Sequence, residues 1–191
     1  MLNRVYKKGD IPGNLAGVLL CASPSLKDPN FERSVVLVSS HSQSDGAMGF
    51  VMNRPMGKRL GQVDSSFAYT SFSEVPVYEG GPVNADRLIF VAWRWLDDDQ
   101  AFKLYFAISQ ETLKGLLAQQ QDVHVRCFLG CTGWGEGQLE HELTQQAWIP
   151  TPVSREAIQS PDEDRLWLNM LSEIMPERFI PSSIPRDLNH N

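Results

Sequence analysis

The stretch that most constrains the fold runs from Val123 to Leu143. Val123, Val125, Cys127 and Leu129 alternate with His124, Arg126 and Phe128, the period-two pattern of a half-buried strand. Gly130, Gly133, Gly135 and Gly137 follow around Trp134, and Gln138-Leu139-Glu140-His141-Glu142-Leu143 opens an amphipathic run. Glycine is used where the backbone takes φ > 0 or where another group must come close to it. The spacing therefore predicts a strand, a glycine-rich turn and a short helix. Helix starts can hold anions through free backbone N–H groups, so the turn is compared with the known phosphate cradles. A P-loop needs Gly-Lys-Ser/Thr after four residues, and no lysine follows here. A dinucleotide fingerprint needs Gly-x-Gly-x-x-Gly, whereas Gly133, Gly135 and Gly137 give Gly-x-Gly-x-Gly. Glu136, Glu140 and Glu142 suit the positive end of a helix but compete with an anionic ligand. The residues favour a tight structural turn with Trp134 filling the core.

Length and composition set the outer bounds. A chain of 191 residues fits a single domain over 1–191, and 42% apolar residues with nine phenylalanines and five tryptophans suffice for a core. The net charge of -6 disfavours direct nucleic-acid binding. Three cysteines, with no Cys-x-x-Cys, suggest small buried hydrophobes rather than disulfides, redox chemistry or zinc. No cofactor and no metal are expected. Arg4, Lys7 and Lys8 before Leu15–Ala22 faintly resemble a signal peptide, but Asp10, Pro12, Gly13 and Asn14 interrupt the pattern. No apolar stretch approaches the ~20 residues that span a bilayer. The expectation is a cytoplasmic protein with no membrane segment, whose first strand is Gly17–Ala22.

Along the chain, Phe31–His41 carries a β-branched apolar run, Ser42–Gly46 is turn chemistry ending in Asp-Gly, and Ala47–Pro55 returns. These predict a hairpin, with Pro55 ending its second strand because proline cannot donate to a ladder. Met56–Val63 is expected as a short helix and Asp64–Glu74 as a loop. Val75–Tyr78 is expected as a strand before a Gly80-Gly81-Pro82 turn, with further strands at Leu88–Trp93 and Ala101–Ala107. Asp97-Asp98-Asp99 between them reads as a solvated hairpin tip. Ser109 is a candidate N-cap for a helix Gln110–Gln121 burying Leu113, Leu116 and Leu117. Ala147–Pro150 is a short strand and Thr151–Gln159 a linker. A helix over 161–174, started by Ser160-Pro161-Asp162-Glu163, has the stripe Leu166, Trp167, Met170, Leu171 and Ile174. An extended tail over 175–191 ends the chain. Strands dominate the first half, so the class is α+β.

Four of these segments, in order, resemble the AlgH/YqgE family of bacterial proteins. They are Phe31–Leu37, Gly46–Pro55, Tyr78–Val83 and Gly133–Leu143. The resemblance spans roughly Gly17 to Trp167, and Cys131 departs from it where an aromatic such as tyrosine is expected. It implies a largely antiparallel, bifurcated β-sheet forming a pseudo-barrel with flanking helices. It implies no reaction, because the family has no agreed activity and no accepted catalytic residues. Its name reflects a proposed regulatory role in alginate production in one lineage.

Polar residues at strand ends and glycine turns are the ligand-binding candidates: Arg33, His41, Asn53, Arg54, Glu79, Trp134 and Glu140. Simple hairpin pairing puts His41 near Ala47 and brings Arg33 toward Asn53 and Arg54. Two guanidinium groups and an amide would make an anion-binding corner, fitting a binding or regulatory module for a small anionic ligand, an acidic peptide or a protein partner. The competing reading pairs both arginines with Glu32, Glu79 or Glu140 in structural salt bridges. A hydrolase or transferase would draw its nucleophile from Ser34, Ser39 or Cys131 and its base from His41, His124 or His141, although no Gly-x-Ser-x-Gly or His-Glu-x-x-His motif is present. Direct transcription control lacks a helix-turn-helix signal. An indirect role through a protein partner stays open, with the C-terminal tail as a docking segment.

Overall fold

The computed structural model describes residues 13–96, 101–119, 122–159 and 163–176. Among these residues nine strands form one sheet. In chain order they are β1 Val18–Ala22, β2 Val35–Ser42, β3 Gly46–Val51, β4 Pro55–Arg59, β5 Pro76–Glu79, β6 Val83–Leu96, β7 Ala101–Ile108, β8 His124–Trp134 and β9 Trp148–Pro152. The α-helices of the described residues are α1 Leu60–Val63, α2 Gln110–Gln119, α3 Gln138–Thr144, α4 Arg155–Ile158 and α5 Leu166–Ile174. The class is α+β.

The sheet forks along β8. Cys127, Phe128 and Leu129 pair in parallel with β5, and the same residues pair antiparallel with β6. Thr132, Gly133 and Trp134 pair instead with β3, which continues through β2 and β1 to β9. Among the described strands β4, β7 and β9 each pair on one side only, so the sheet has three edges and is not closed by hydrogen bonds. Pro150 and Pro152 on β9, and Pro55, Lys58 and Arg59 on β4, guard two of these edges against further pairing.

The glycine-rich segment is strand for longer than its composition suggests. β8 runs through Gly130, Cys131, Thr132 and Gly133 to Trp134, and only Gly135-Glu136-Gly137 turns before α3. Gly130 serves a backbone crossing with Gly80-Gly81. Gly80 N–H donates to Leu129 O at 2.8 Å, and Gly80 O accepts from Val51 N–H at 3.0 Å, so one residue bonds to both limbs of the fork. A Cβ on Gly80 would lie 2.2 Å from Gly130 O. Tertiary contact thus overrides the low strand propensity of glycine.

Other expectations need correction. Pro55 does not end β3, which stops at Val51; it opens β4, where a missing N–H at an edge costs nothing. Met56–Arg59 is strand rather than helix because it pairs with β5, leaving α1 a single turn. The 151–159 region is no linker: β9 extends to Pro152 and α4 follows, with Ser154 capping Ala157 N–H at 3.1 Å. On α2, Ser109 Oγ accepts from Thr112 N–H as a cap should, and Leu113 is buried, but Leu117 is exposed. The Leu166, Met170 and Leu171 stripe of α5 is buried as its period requires, after a 3₁₀ turn at Glu163–Arg165. The acidic tip 97–99, the start at Ser160–Asp162 and the tail from 177 lie outside the described residues.

The core falls into three clusters. One packs α5 and α4 on the β1–β2–β3 limb and β6–β8 through Leu37, Phe50, Phe128 and Leu171. A second gathers Val36, Trp134, Leu139 and Trp148 under α3. The third buries Leu60, Phe72, Phe90 and Leu113 around the other limb. All three cysteines are buried and unpaired.

Candidate functional site

The α3 corner gathers His41, Trp134 and Glu140. The hairpin pairs His41 with Ala47, as its turn requires, and the imidazole is buried beneath α3. Leu15 N–H donates to Nδ1 at 3.1 Å, so the proton sits on Nε2, which donates to Glu140 Oε1 at 2.8 Å. Trp134 packs with Phe31 and Trp148 at ring-centroid distances of 6.3 and 6.0 Å. Glu142, read from the sequence only as a charge at the helix start, accepts both indole N–H groups on Oε2, Trp134 at 2.9 Å and Trp148 at 2.7 Å, and takes Gln138 Nε2 on Oε1. Every polar group named here points at another part of the chain.

Asn53 is occupied in the same way. Its Oδ1 accepts from Val35 N–H at 2.8 Å and its Nδ2 donates to Arg33 O at 2.9 Å, clipping the start of β2. The hairpin brings the Arg33 backbone to Asn53, but the Arg33 side chain leaves the corner. Its φ is +56°, its side chain is 73% exposed, and its guanidinium stands 5.9 Å over the Trp167 ring and 3.9 Å from Glu32.

Arg54 and Glu79 come together at a cavity. Arg54 Nη1 lies 4.0 Å from Glu79 Oε1, and its Nη2 donates to Glu32 O at 3.4 Å. Both contacts are at the long limit of their kind. The cavity they line has a volume of about 450 Å³, and Asn30, Met56, Gly81 and Ala85 add to its wall. Ala85 lies where β6 shifts register between Val83 and Leu88, a stretch whose residues are exposed.

A second cavity of about 350 Å³ borders β4, lined by Pro55, Gly57, Lys58, Arg59, Tyr78 and Glu163; the strand shifts register between Pro55 and Lys58, and the consecutive Lys58 and Arg59 both line it. Behind it lies a buried guanidinium that the sequence hid inside an apolar strand. Arg126 donates to Met52 O at 3.0 Å, Ile158 O at 3.1 Å and Glu163 Oε1 at 2.8 Å. The Tyr78 and Trp93 rings stand 4.3 and 5.4 Å from its Cζ. Tyr78 Oη donates to the same Glu163 oxygen. Burial pushes the Tyr78 phenol above its ordinary range, while Arg126 pulls it back. Burial also pulls the Arg126 pKa down, against the pull of Tyr78 and Glu163.

The nucleophile candidates are engaged elsewhere. Ser34 Oγ donates to Phe31 O at 2.8 Å and Ser39 Oγ to Met48 O at 3.0 Å. Burial raises the Cys131 thiol pKa, against formation of a thiolate. His124 stacks on Trp93, and its pKa is lowered by burial and then by Arg155 and Arg126. His141 Nε2 meets Gln145 at 2.9 Å on the exposed side of α3. Among the described residues no group of three or more His, Cys, Asp or Glu is placed to hold a metal ion, and no helix is long and apolar enough to cross a membrane.

Comparison with known proteins agrees with this architecture. A solution structure of the AlgH protein from Pseudomonas aeruginosa is similar with a TM-score of 0.62 and 28% identity, over 97% of this chain and 100% of that one. A crystal structure of protein DIP2367 from Corynebacterium diphtheriae shares the fold with a TM-score of 0.65 at 22% identity, over 87% of this chain and 90% of that one. In sequence, a UPF0301 protein of Streptomyces coelicolor is 33% identical over 93% of this chain and 96% of its own length. A UPF0301 protein of Parabacteroides distasonis is 36% identical over 91% and 89% respectively. The AlgH-like (DUF179) family model matches residues 19–178, and the chain belongs to the AlgH-like family.

Proposed function

We propose that the protein is a non-catalytic binding module that holds a small anionic ligand in the cavity at Arg54. The observation that carries this reading is the loose tethering of that guanidinium. Its two contacts are 3.4 and 4.0 Å long, and the cavity beside it holds about 450 Å³, within the size of small-molecule sites. A guanidinium presents five donors in a fixed fork, so most of Arg54 is available to a carboxylate or phosphate. Glu79, whose side chain is 64% exposed, can move aside when a ligand anion replaces it. Asn30 offers a further donor on the cavity wall. A non-catalytic role is supported by the seryl hydroxyls bonded to backbone carbonyls and the buried thiol of Cys131.

The test is native mass spectrometry of the protein purified gently from its own host, beside the Arg54→Glu variant prepared identically. The reading expects a small bound mass on the wild-type chain that is absent from a folded Arg54→Glu protein. A wild-type chain carrying no small mass, or the same mass retained by the variant, would overturn it.

A further inference from the structure

The second cavity bordering β4 makes its own offer, independent of Arg54. Lys58 has no ion-pair partner among the described residues, and Arg59 Nη1 reaches only Glu74 O at 3.4 Å. Both line the cavity. Facing them is Glu163, whose Oε1 takes hydrogen bonds from Arg126 and Tyr78. Arg126 pairs with Glu163, and among the described residues Lys58 and Arg59 make no ion pair, so they bring two positive charges to the cavity wall. Glu163 Oε2 keeps its acceptor capacity, since a carboxylate offers about four lone-pair sites and no donor. Arg126, only 7% exposed and bonded to two carbonyls as well as to Glu163, holds that carboxylate in place.

The ligand chemistry follows from this polarity. Two adjacent cations match a dianion, and one of them is a guanidinium suited to phosphate oxygens. A bare anion gains nothing from Glu163, which repels it. A ligand with hydroxyl donors at its other end would satisfy that carboxylate, while Pro55 and Pro76 give apolar walls for its carbon skeleton. A volume of about 350 Å³ admits a small metabolite. We infer that the cleft between Lys58, Arg59 and the Tyr78–Glu163 pair binds a small hydroxylated phosphate monoester, the phosphate on the two cations and a hydroxyl on Glu163.

The probes are glycerol 3-phosphate, inorganic phosphate and glycerol, titrated separately into isotope-labelled full-length protein and read from amide chemical shifts. Glycerol 3-phosphate should move Gly57, Lys58, Val77 and Tyr78, with half-saturation at least fivefold below that for inorganic phosphate. Glycerol alone should move nothing. The Lys58→Glu, Arg59→Glu pair should weaken binding at least tenfold with the rest of the spectrum unchanged, and the charge-keeping Lys58→Arg, Arg59→Lys pair should restore it. Equal affinity for glycerol 3-phosphate and inorganic phosphate would overturn the inference. So would full affinity in the charge-reversed pair, or shifts confined to Gly81 and Ala85. That last pattern belongs to the Arg54 cavity, so failure here leaves the proposal for Arg54 standing, and the reverse holds too.

Discussion

The α3 corner and the β4 face treat polar side chains in opposite ways. Under α3, the imidazole of His41, the carboxylates of Glu140 and Glu142 and the indoles of Trp134 and Trp148 are bonded to one another or to backbone. Around β4, Arg54, Lys58 and Arg59 border two cavities and make only long contacts or none among the described residues. The first arrangement fixes a fold, because a buried polar group left unpaired costs far more than a paired one contributes. The second leaves charge and space for something that is not part of the chain. The segment with the most unusual composition is thus architecture, and a plain exposed edge strand borders the candidate sites.

Substitutions can break that contrast, and the largest effect belongs to the crossing that supports both regions. Gly80→Ala places a Cβ 2.2 Å from the Gly130 carbonyl oxygen. Since neither backbone can retreat without breaking the fork, a loss of about 4 kcal/mol or outright failure to fold is expected, measured by urea denaturation. In the α3 corner, Glu142→Ala strands two indole donors and should cost about 3 kcal/mol in the same assay. His41→Leu keeps the volume but leaves Leu15 N–H and Glu140 without their partner. The expected loss is about 1.5 kcal/mol, with faster hydrogen exchange at the Leu15 amide. On the β4 face the balance inverts. Arg54→Glu should change the stability of ligand-free protein by no more than about 0.5 kcal/mol while abolishing the bound mass. A large stability loss from Arg54→Glu would erase the distinction between the two regions.

Much of the fold was legible where local signals and tertiary needs agree. The Asp45-Gly46 turn gave the hairpin its register at His41 and Ala47. Ser109 capped its helix, and the α5 stripe buried Leu166, Met170 and Leu171. Legibility failed where pairing with a distant strand decides the outcome. Pro55-Met56-Gly57-Lys58-Arg59 has no apolar alternation, so only β5 makes it a strand. Gly130 and Gly133 read as punctuation because nothing local announces that Gly80-Gly81 will cross at Gly130 or that Gly133 will pair with Met48. The candidate site divides in the same way. Arg54 and Glu79, far apart in sequence, meet at one cavity, whereas Arg33, His41, Asn53, Trp134 and Glu140 are held by other partners. Arg126, Tyr78 and Glu163 gave no signal, since a charge within an apolar strand reveals its partner only once the chain has folded.

The contrast between the two regions is tested most directly by hydrogen–deuterium exchange of the full-length protein, with and without a filtered low-molecular-mass extract of its host. Binding slows exchange where it stabilises structure. The expected result is slowed exchange in peptides covering Arg54–Arg59 and Gly80–Ala85, with the α3 peptide Gln138–Thr144 unchanged. Protection confined to α3 and the His41 strand, with β4 unaffected, would contradict the account.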